Sequence, residues 1–363
     1  MQREPVHRAA GQSAAITDGA LRAGPLTAVP SLLRELGQDP EAVFAALGCS
    51  PQLLENSENA IPFTLLGRLF DTCTIATGCP HFGLLLGQRM GLDCVGLVGM
   101  VARHSPTVKE ALSNLLLYMH LHDRGAVPTL AVVDEEAVFG YTIYQPGMTT
   151  TASVYDACAA IACNALGTLC GPRWRPTGAQ LPRSRPDDPE PYRRVFGLTP
   201  TFAAERMALT FAADWLERPV PGADPALYRV LREQAEVLAV GANDNVVPRV
   251  RRIACNLLLC GSGSLDSAAA LLSMHPRTLR RRLHASGITY RQLCEECREA
   301  LALQLLHDSS LPIGEIAARL QYANTAAFTR AFRRWTGSTP TTWRAGQAGY
   351  PPRLETPALP SLS

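Results

Sequence analysis

Two helix-turn-helix patterns stand in tandem over residues 245–344, and they restrict the fold more than any other feature of the chain. In the second, Ile313, Ile316, Ala317 and Leu320 recur at i, i+3, i+4, i+7 and make one apolar stripe on a short helix. Asn324 is then a natural N-cap. The next helix repeats the spacing with Phe328, Ala331, Phe332 and Trp335, while Thr325, Ala326, Thr329, Arg330, Arg333 and Arg334 take its other faces. Gly337 supplies the stop and Pro340 prevents continuation. Two short helices joined by a tight turn, the second polar and basic on its outer side, have the form of a groove-reading unit.

The first unit repeats this design. Leu265, Ala269 and Leu272 mark its supporting helix, and Leu279 and Leu283 anchor the next, which opens with Pro276 where a first-turn proline is tolerated. That helix carries Arg277, Thr278, Arg280, Arg281 and Arg282, and guanidinium matches both phosphate oxygens and the guanine edge in two-pronged fashion. Between the units, Tyr290 to Asp308 reads as one continuous helix, a rod of roughly 28 Å at about 1.5 Å per residue. Such a rod suits two reading helices spaced about one DNA turn, about 34 Å, apart.

The stretch 246–344, and above all AFTRAFRRWTGSTPTTWR from Ala327, resembles the DNA-binding domain of the AraC/XylS family of bacterial transcription regulators. Gln321 departs from the glycine usual at that turn and is expected to alter it slightly. The resemblance implies seven helices, with base contacts from Arg277, Thr278, Arg280 and Arg281 in the first reading helix and Thr325, Ala326, Thr329 and Arg330 in the second. Arg319, Arg333 and Arg334 are expected at phosphates or the surface. Phe328, Phe332 and Trp335 are expected to be core, because an aromatic stripe at helical spacing packs inward.

Charge divides the chain in the same way. Residues 244–344 hold 14 arginines against 7 acidic residues, whereas the whole chain is only +2, so the remainder is −5. A basic C-terminal module on an otherwise acidic chain suits a nucleic-acid reader whose other part faces something else. No stretch of about 18 residues reads as a membrane span, and residues 1–25 lack an apolar signal core and are expected to be a flexible leader. Eleven cysteines without an export signal point to the cytoplasm and to thiols that mostly stay free. The close pair Cys294 and Cys297 lacks the companions of a zinc site; its two readings are a redox pair and two buried small residues. Cys158 and Cys163 are expected in the core.

The predicted fold class is mainly α: a mixed α+β N-terminal effector or dimerisation domain over 26–239, a linker at 240–246, an all-α tandem helix-turn-helix domain over 247–345 and a disordered tail at 346–363. Helices are expected from the segments beginning at Pro30, Pro40, Pro62, His81, Val95 and Thr107, and over 151–169 and 224–238. A hairpin is expected around Glu135 and Glu136, and short strands near Thr201 and Met207. IPFTLLGRLF, CPHFGLLLGQRMGLDCVGLVGMVARHSPTVKEAL and FAADWLERPVP resemble the arabinose-binding-like N-terminal domain of the ornithine-regulator and VirS-like AraC subgroup. That resemblance implies a domain that senses a small-molecule effector, forms a homodimer, or both. Polar groups set among apolar ones, Tyr118, His120, His122, Tyr141, Tyr144 and Tyr155, are its candidate pocket residues.

The partners expected are double-stranded promoter DNA and RNA polymerase, with activation the expected direction, and no membrane or cofactor. Two alternatives are an effector-independent dimeric DNA-binding protein and a protein like the adaptive-response DNA-repair methyltransferase. The second requires a zinc-held cysteine acceptor, yet Cys49, Cys73, Cys79 and Cys94 are irregularly spaced. Nucleophile-elbow, phosphate-loop and His-Glu-x-x-His patterns are absent, so the chain does not read as an enzyme.

Overall fold

The computed structural model describes residues 16, 19–143, 148, 151–204, 206–240, 246–259, 263–272, 274–308 and 311–347. The linker residues 241–245 and the tail from 348 onward lie outside them. Before residue 240 the described helices are α1 (Val29–Glu35), α2 (Pro40–Ala46), α3 (Phe63–Thr77), α4 (Phe82–Gln88), α5 (Leu97–Arg103), α6 (Val108–Tyr118), α7 (Ala152–Cys170), α8 (Glu190–Phe196) and α9 (Pro225–Val240). Strands are β1 (Ala20–Arg22), β2 (Ala60–Pro62), β3 (Ala126–Val133), β4 (Glu136–Ile143), β5 (Gly178–Gln180) and β6 (Met207–Ala212). The expected helices are found, with side-chain caps where the sequence offers them: Asp39 accepts from the Glu41 N–H and Thr107 from the Glu110 N–H.

β1 and β2 form a small antiparallel pair, and β3-β4-β6-β5 form an antiparallel sheet. The hairpin turns at Asp134 and Glu135, one residue earlier than the sequence suggested, because both central residues take positive φ (47° and 67°) and so match the strand twist. Thr201 makes only an isolated bridge to Gln180, while β5 and α8 were not anticipated. Order also begins earlier than residue 26: Leu21 is buried and pairs with Ile61, so the segment expected to be a flexible leader contributes a strand.

Contrary to the sequence reading, α7 is long and apolar enough to cross a membrane. Its place is the centre of the domain, where Val154, Ala160, Leu166 and Leu169 are buried in a continuous apolar core that runs from Leu21 to Ala235. α4 lies directly on it. A β-carbon added at Gly83 would meet the Ser153 carbonyl oxygen at 1.9 Å, and one at Gly87 would meet that of Ala157 at 2.4 Å. Backbone thus touches backbone.

From residue 246 the chain is all helical: α10 (Val247–Leu259), α11 (Leu265–Leu271), α12 (Pro276–Ala285), α13 (Tyr290–Asp308), α14 (Ile313–Arg319), α15 (Thr325–Thr336) and α16 (Pro340–Gln347). Among described residues these are the seven helices the resemblance implied. α13 begins at a reciprocal cap in which Thr289 Oγ1 accepts from the Gln292 N–H and Gln292 Oε1 accepts from the Thr289 N–H. Leu293 at its start packs into the core of the first unit with Leu257, Leu272, Leu279 and Leu283. Leu301, Ala302 and Leu306, further along, pack into that of the second with Ile316, Leu320, Phe328 and Phe332.

The close helix pair gives a two-sided prediction. Gly83→Ala is expected to destabilise the protein by about 1–3 kcal/mol through overpacking. Gly167→Ala, in α7 with nothing within 4 Å of an added β-carbon, is expected to stabilise it by about 0.5–1 kcal/mol. Urea denaturation of the two variants checks the opposite signs.

Candidate nucleic-acid interface and buried cavity

α12 starts where His275 Nδ1 accepts from the Arg277 N–H, with Pro276 in the first turn. Leu279 and Leu283 are buried, which fixes the rotation of the helix and leaves Arg277, Arg280 and Arg281 exposed, with Thr278 half-buried. α15 is set in the same way. Asn324 Oδ1 accepts from the Ala327 N–H at 2.8 Å, Gly337 ends the helix at φ 78°, and Phe328, Ala331 and Phe332 are buried. Thr325, Ala326 and Arg330 are exposed and Thr329 is half-buried. All eight sequence-derived interface residues therefore lie on the outward sides of two helices.

The arginines divide by task. Arg298 donates from Nε to the Leu320 carbonyl at 3.0 Å and lies over the Tyr322 ring; Arg344 donates to the Leu311 carbonyl; Arg334 pairs with Glu295 and Arg251 with Glu296. Arg298 and Arg344 brace the domain, while Arg251 and Arg334 sit in partly exposed ion pairs on the α13 surface. The side chains of Arg277, Arg280, Arg281, Arg330 and Arg333, by contrast, make no hydrogen bond or ion pair among the described residues. Exposed guanidinium groups without internal partners keep their full capacity for phosphate oxygens or base edges.

Phe328 and Phe332 are core as expected, and Trp335 is half-buried against Phe332 and Tyr322. Gln321 holds a left-handed conformation (φ 61°), and its Nε2 donates to the Leu258 and Leu257 carbonyls at 2.8 and 3.4 Å. One side chain thus satisfies carbonyls at the end of α10 and ties the second unit to the first. The expectation of free thiols is corrected at Cys297, which forms a disulfide with Cys255 across α10 and α13, with Cα atoms 5.4 Å apart. Spacing along one helix could expose Cys294 and Cys297 as neighbours but could not reveal a partner on another helix. Cys294 is buried beside them.

The N-terminal domain holds a partly open cavity of about 110 Å³ between α3, α6, α7 and the sheet, with walls that include Phe70, Leu112, Met119, Phe139, Leu166 and Met207. Its polar corner is His122, Asp123 and Tyr141. The Asp123 carboxylate accepts the N–H groups of Gly125 and Ala126 on Oδ1 and the Tyr141 hydroxyl on Oδ2. Burial pushes Asp123 up to about 6 and His122, beside the positive charge of Arg22, down to about 3. His122 and Gly91 also border a polar surface cleft of about 340 Å³ that includes Glu58, Arg89 and Asp93.

Of the pocket residues read from sequence, His122 and Tyr141 line this cavity. Tyr118 is buried with its hydroxyl 3.4 Å from Glu236, His120 Nδ1 lies 3.2 Å from the Leu117 carbonyl, and Tyr155 accepts the Ile143 N–H. Tyr144 lies outside the described residues. Asp123 was missed. Its signal was an Asp two positions before a glycine at a helix-to-strand turn, the pattern of a side chain that caps its own backbone.

No group of three His, Cys, Asp or Glu side chains among the described residues could hold a metal ion. Burial pushes the thiols of Cys73 and Cys94 up to about 12, so neither has the thiolate character of an alkyl acceptor.

Two measurements test these assignments. Gln321→Gly is expected to leave the urea midpoint nearly unchanged, because relief of about 1 kcal/mol of left-handed strain offsets about 1 kcal/mol of lost hydrogen bonding. Gln321→Ala keeps the strain, loses the bonds and is expected to unfold at lower urea than either. The second is an acid titration. His122, neutral in the fold, contributes stability that is complete above about 6.5 and is lost as pH falls towards 3. Asp123 and Asp156, both raised to about 6, act oppositely and cost stability as pH rises from about 4 through 6. The melting temperature of His122→Gln should therefore fall less than that of the natural protein between pH 7 and 4.5.

Over most of its length the chain matches known proteins. Residues 37–220 match the arabinose-binding domain of AraC transcription regulators, N-terminal, and residues 268–346 match a helix-turn-helix domain. The chain is 30% identical over 329 residues to the HTH-type transcriptional regulator VirS of Mycobacterium tuberculosis, covering 90% of this chain and 96% of VirS. It is 29% identical to the ornithine utilization regulator of Pseudomonas aeruginosa over 87% of this chain and 94% of that one. The crystal structure of the transcriptional regulator CdpR from Pseudomonas aeruginosa aligns over 86% of this chain and 97% of its own, with 23% identity and a TM-score of 0.41. The chain belongs to the AraC family of transcription regulators, a DNA-binding and non-enzymatic family, and carries its arabinose-binding-type N-terminal domain.

Proposed function

We propose that this regulator reads promoter DNA by inserting α12 and α15 into successive major grooves, with Arg277, Thr278, Arg280 and Arg281 on one helix and Thr325, Ala326, Thr329 and Arg330 on the other. The observation that carries the reading is the division among the arginines. Those that brace the domain are engaged by carbonyls and carboxylates, and Arg277, Arg280, Arg281 and Arg330 on the outer faces of these two helices are not. α13, packed into both cores, supports a fixed spacing between the helices.

In this reading the N-terminal domain, residues 26–239, adjusts DNA binding by the domain at 247–345 in response to a small molecule, acts in a homodimer, and works with RNA polymerase as an activator. A buried contact supports the coupling: Asn256 in α10 donates to the Pro128 carbonyl at 2.6 Å, and Pro128 also lines the cavity. β3 is an edge strand, so its carbonyl needs a partner from outside the sheet, and α10 supplies it. A shift of β3 on ligand binding would be felt at the first helix of the DNA-binding domain.

Mapping of the genomic fragments bound by the purified protein is expected to give a few strong sites that share a motif. On such a site, Arg281→Ala and Arg330→Ala should each weaken binding by about 1–3 kcal/mol and relax preference at one base position. Equal loss on all sequences, with a smaller salt slope, would move the arginine concerned to a phosphate contact. Scattered binding without a motif would refute the regulator reading.

A further inference from the structure

We infer that the cavity between α3, α6, α7 and the sheet binds a small uncharged molecule with one hydroxyl on an apolar body of single-ring size, a phenol, its hydroxyl held by Asp123 and His122. The inference rests on the reading that the N-terminal domain senses a ligand, and it names the class.

Size comes first. A volume of about 110 Å³ is close to that of a buried apolar cavity of about 150 Å³ known to admit benzene. The walls come next. Phe70, Leu112, Phe139 and Leu166 offer no group to replace the water lost by a charged or zwitterionic body, which makes such a body costly to bury.

The polar corner then selects the head group. Asp123 Oδ2 already accepts from Tyr141, and a carboxylate has capacity for a further donor. The His122 ring is 4% exposed, borders the cavity, and has no hydrogen bond among the described residues. One hydroxyl answers both, donating to the carboxylate and accepting from an imidazole N–H. A ligand carboxylate would meet the charge of Asp123, and an ammonium group would have to shed its water against walls that are otherwise apolar. Because His122 and Gly91 also border the polar cleft outside, the head-group end of the cavity is the end nearest solvent.

The test is calorimetric titration and thermal melting of the full-length protein with p-cresol, toluene, p-toluate and L-ornithine. p-Cresol is expected to bind and raise the melting temperature, with a dissociation constant about tenfold below that of toluene for the hydroxyl contact. p-Toluate and ornithine are expected to give no shift. His122→Phe and Asp123→Asn should each erase the preference for cresol over toluene while toluene still binds, and Ala162→Leu, which fills the cavity, should abolish both. Circular dichroism establishes that each variant is folded. Equal affinity for toluene and cresol, binding of the acid or of ornithine, or no binding of either aromatic would each overturn the proposal. The same preparations are assayed on the mapped DNA sites. Sequence-specific binding by protein that takes up no phenol would sink the cavity assignment alone, whereas loss of sequence-specific binding would count against the regulator reading.

Discussion

The DNA-binding domain depends on α13 being shared. Each helix-turn-helix unit spans fewer than fifty residues, a length at which an isolated core is marginal. By placing Leu293 in one core and Leu301, Ala302 and Leu306 in the other, a single helix makes each unit part of a larger body. The Cys255–Cys297 disulfide fastens α10 to the same rod, and Gln321 closes the remaining gap by bonding the end of α10. The orientation of α12 and α15 then follows from which of their faces is apolar. Leu279 and Leu283 turn one inward, Phe328 and Phe332 turn the other, and the basic faces point out because nothing apolar competes for them.

The N-terminal domain uses a different constraint. Its central helix is made of small and apolar residues, and α4 approaches it so closely that glycine is required at Gly83 and Gly87. Where Cβ-free contact draws one side of α7 tight, its other side meets the larger side chains of the cavity. The cavity joins the rest of the molecule at Pro128, whose side chain lines it and whose carbonyl is held by Asn256. An edge strand that would otherwise be a liability thereby becomes the seam between the N-terminal and DNA-binding domains.

Much of the tandem helix-turn-helix domain was legible in the sequence. Helical periodicity is a local property, and the cap Asn324, the stop at Gly337 and the apolar stripes on α11, α12, α14 and α15 are all set by residues within a few positions of one another, whereas the caps at His275 and Thr289 came from the structure. The charge contrast between the two parts of the chain was equally plain. The hairpin was found but placed one residue off, because the turn is chosen by which two residues tolerate positive φ against the strand twist. α7 is a helix as expected, and its span-like length of apolar residues is interrupted only by scattered polar ones such as Asp156 and Asn164, which no run-based reading separates from a soluble core helix.

By itself, then, the sequence determined the tandem helix-turn-helix pattern, the identity of the outward basic residues and the α+β character of the first domain, since each follows from short-range pattern and side-chain chemistry. Tertiary structure decided which arginines are consumed as braces, that Cys297 finds Cys255, that Gln321 reaches α10, and that His122, Asp123 and Tyr141 meet at one corner of a cavity while Tyr118 and Tyr155 do not line it. Apart from the neighbours His122 and Asp123, these contacts join residues 18 to 63 positions apart. Only the packing of whole elements brings such residues together, and no local spacing encodes it.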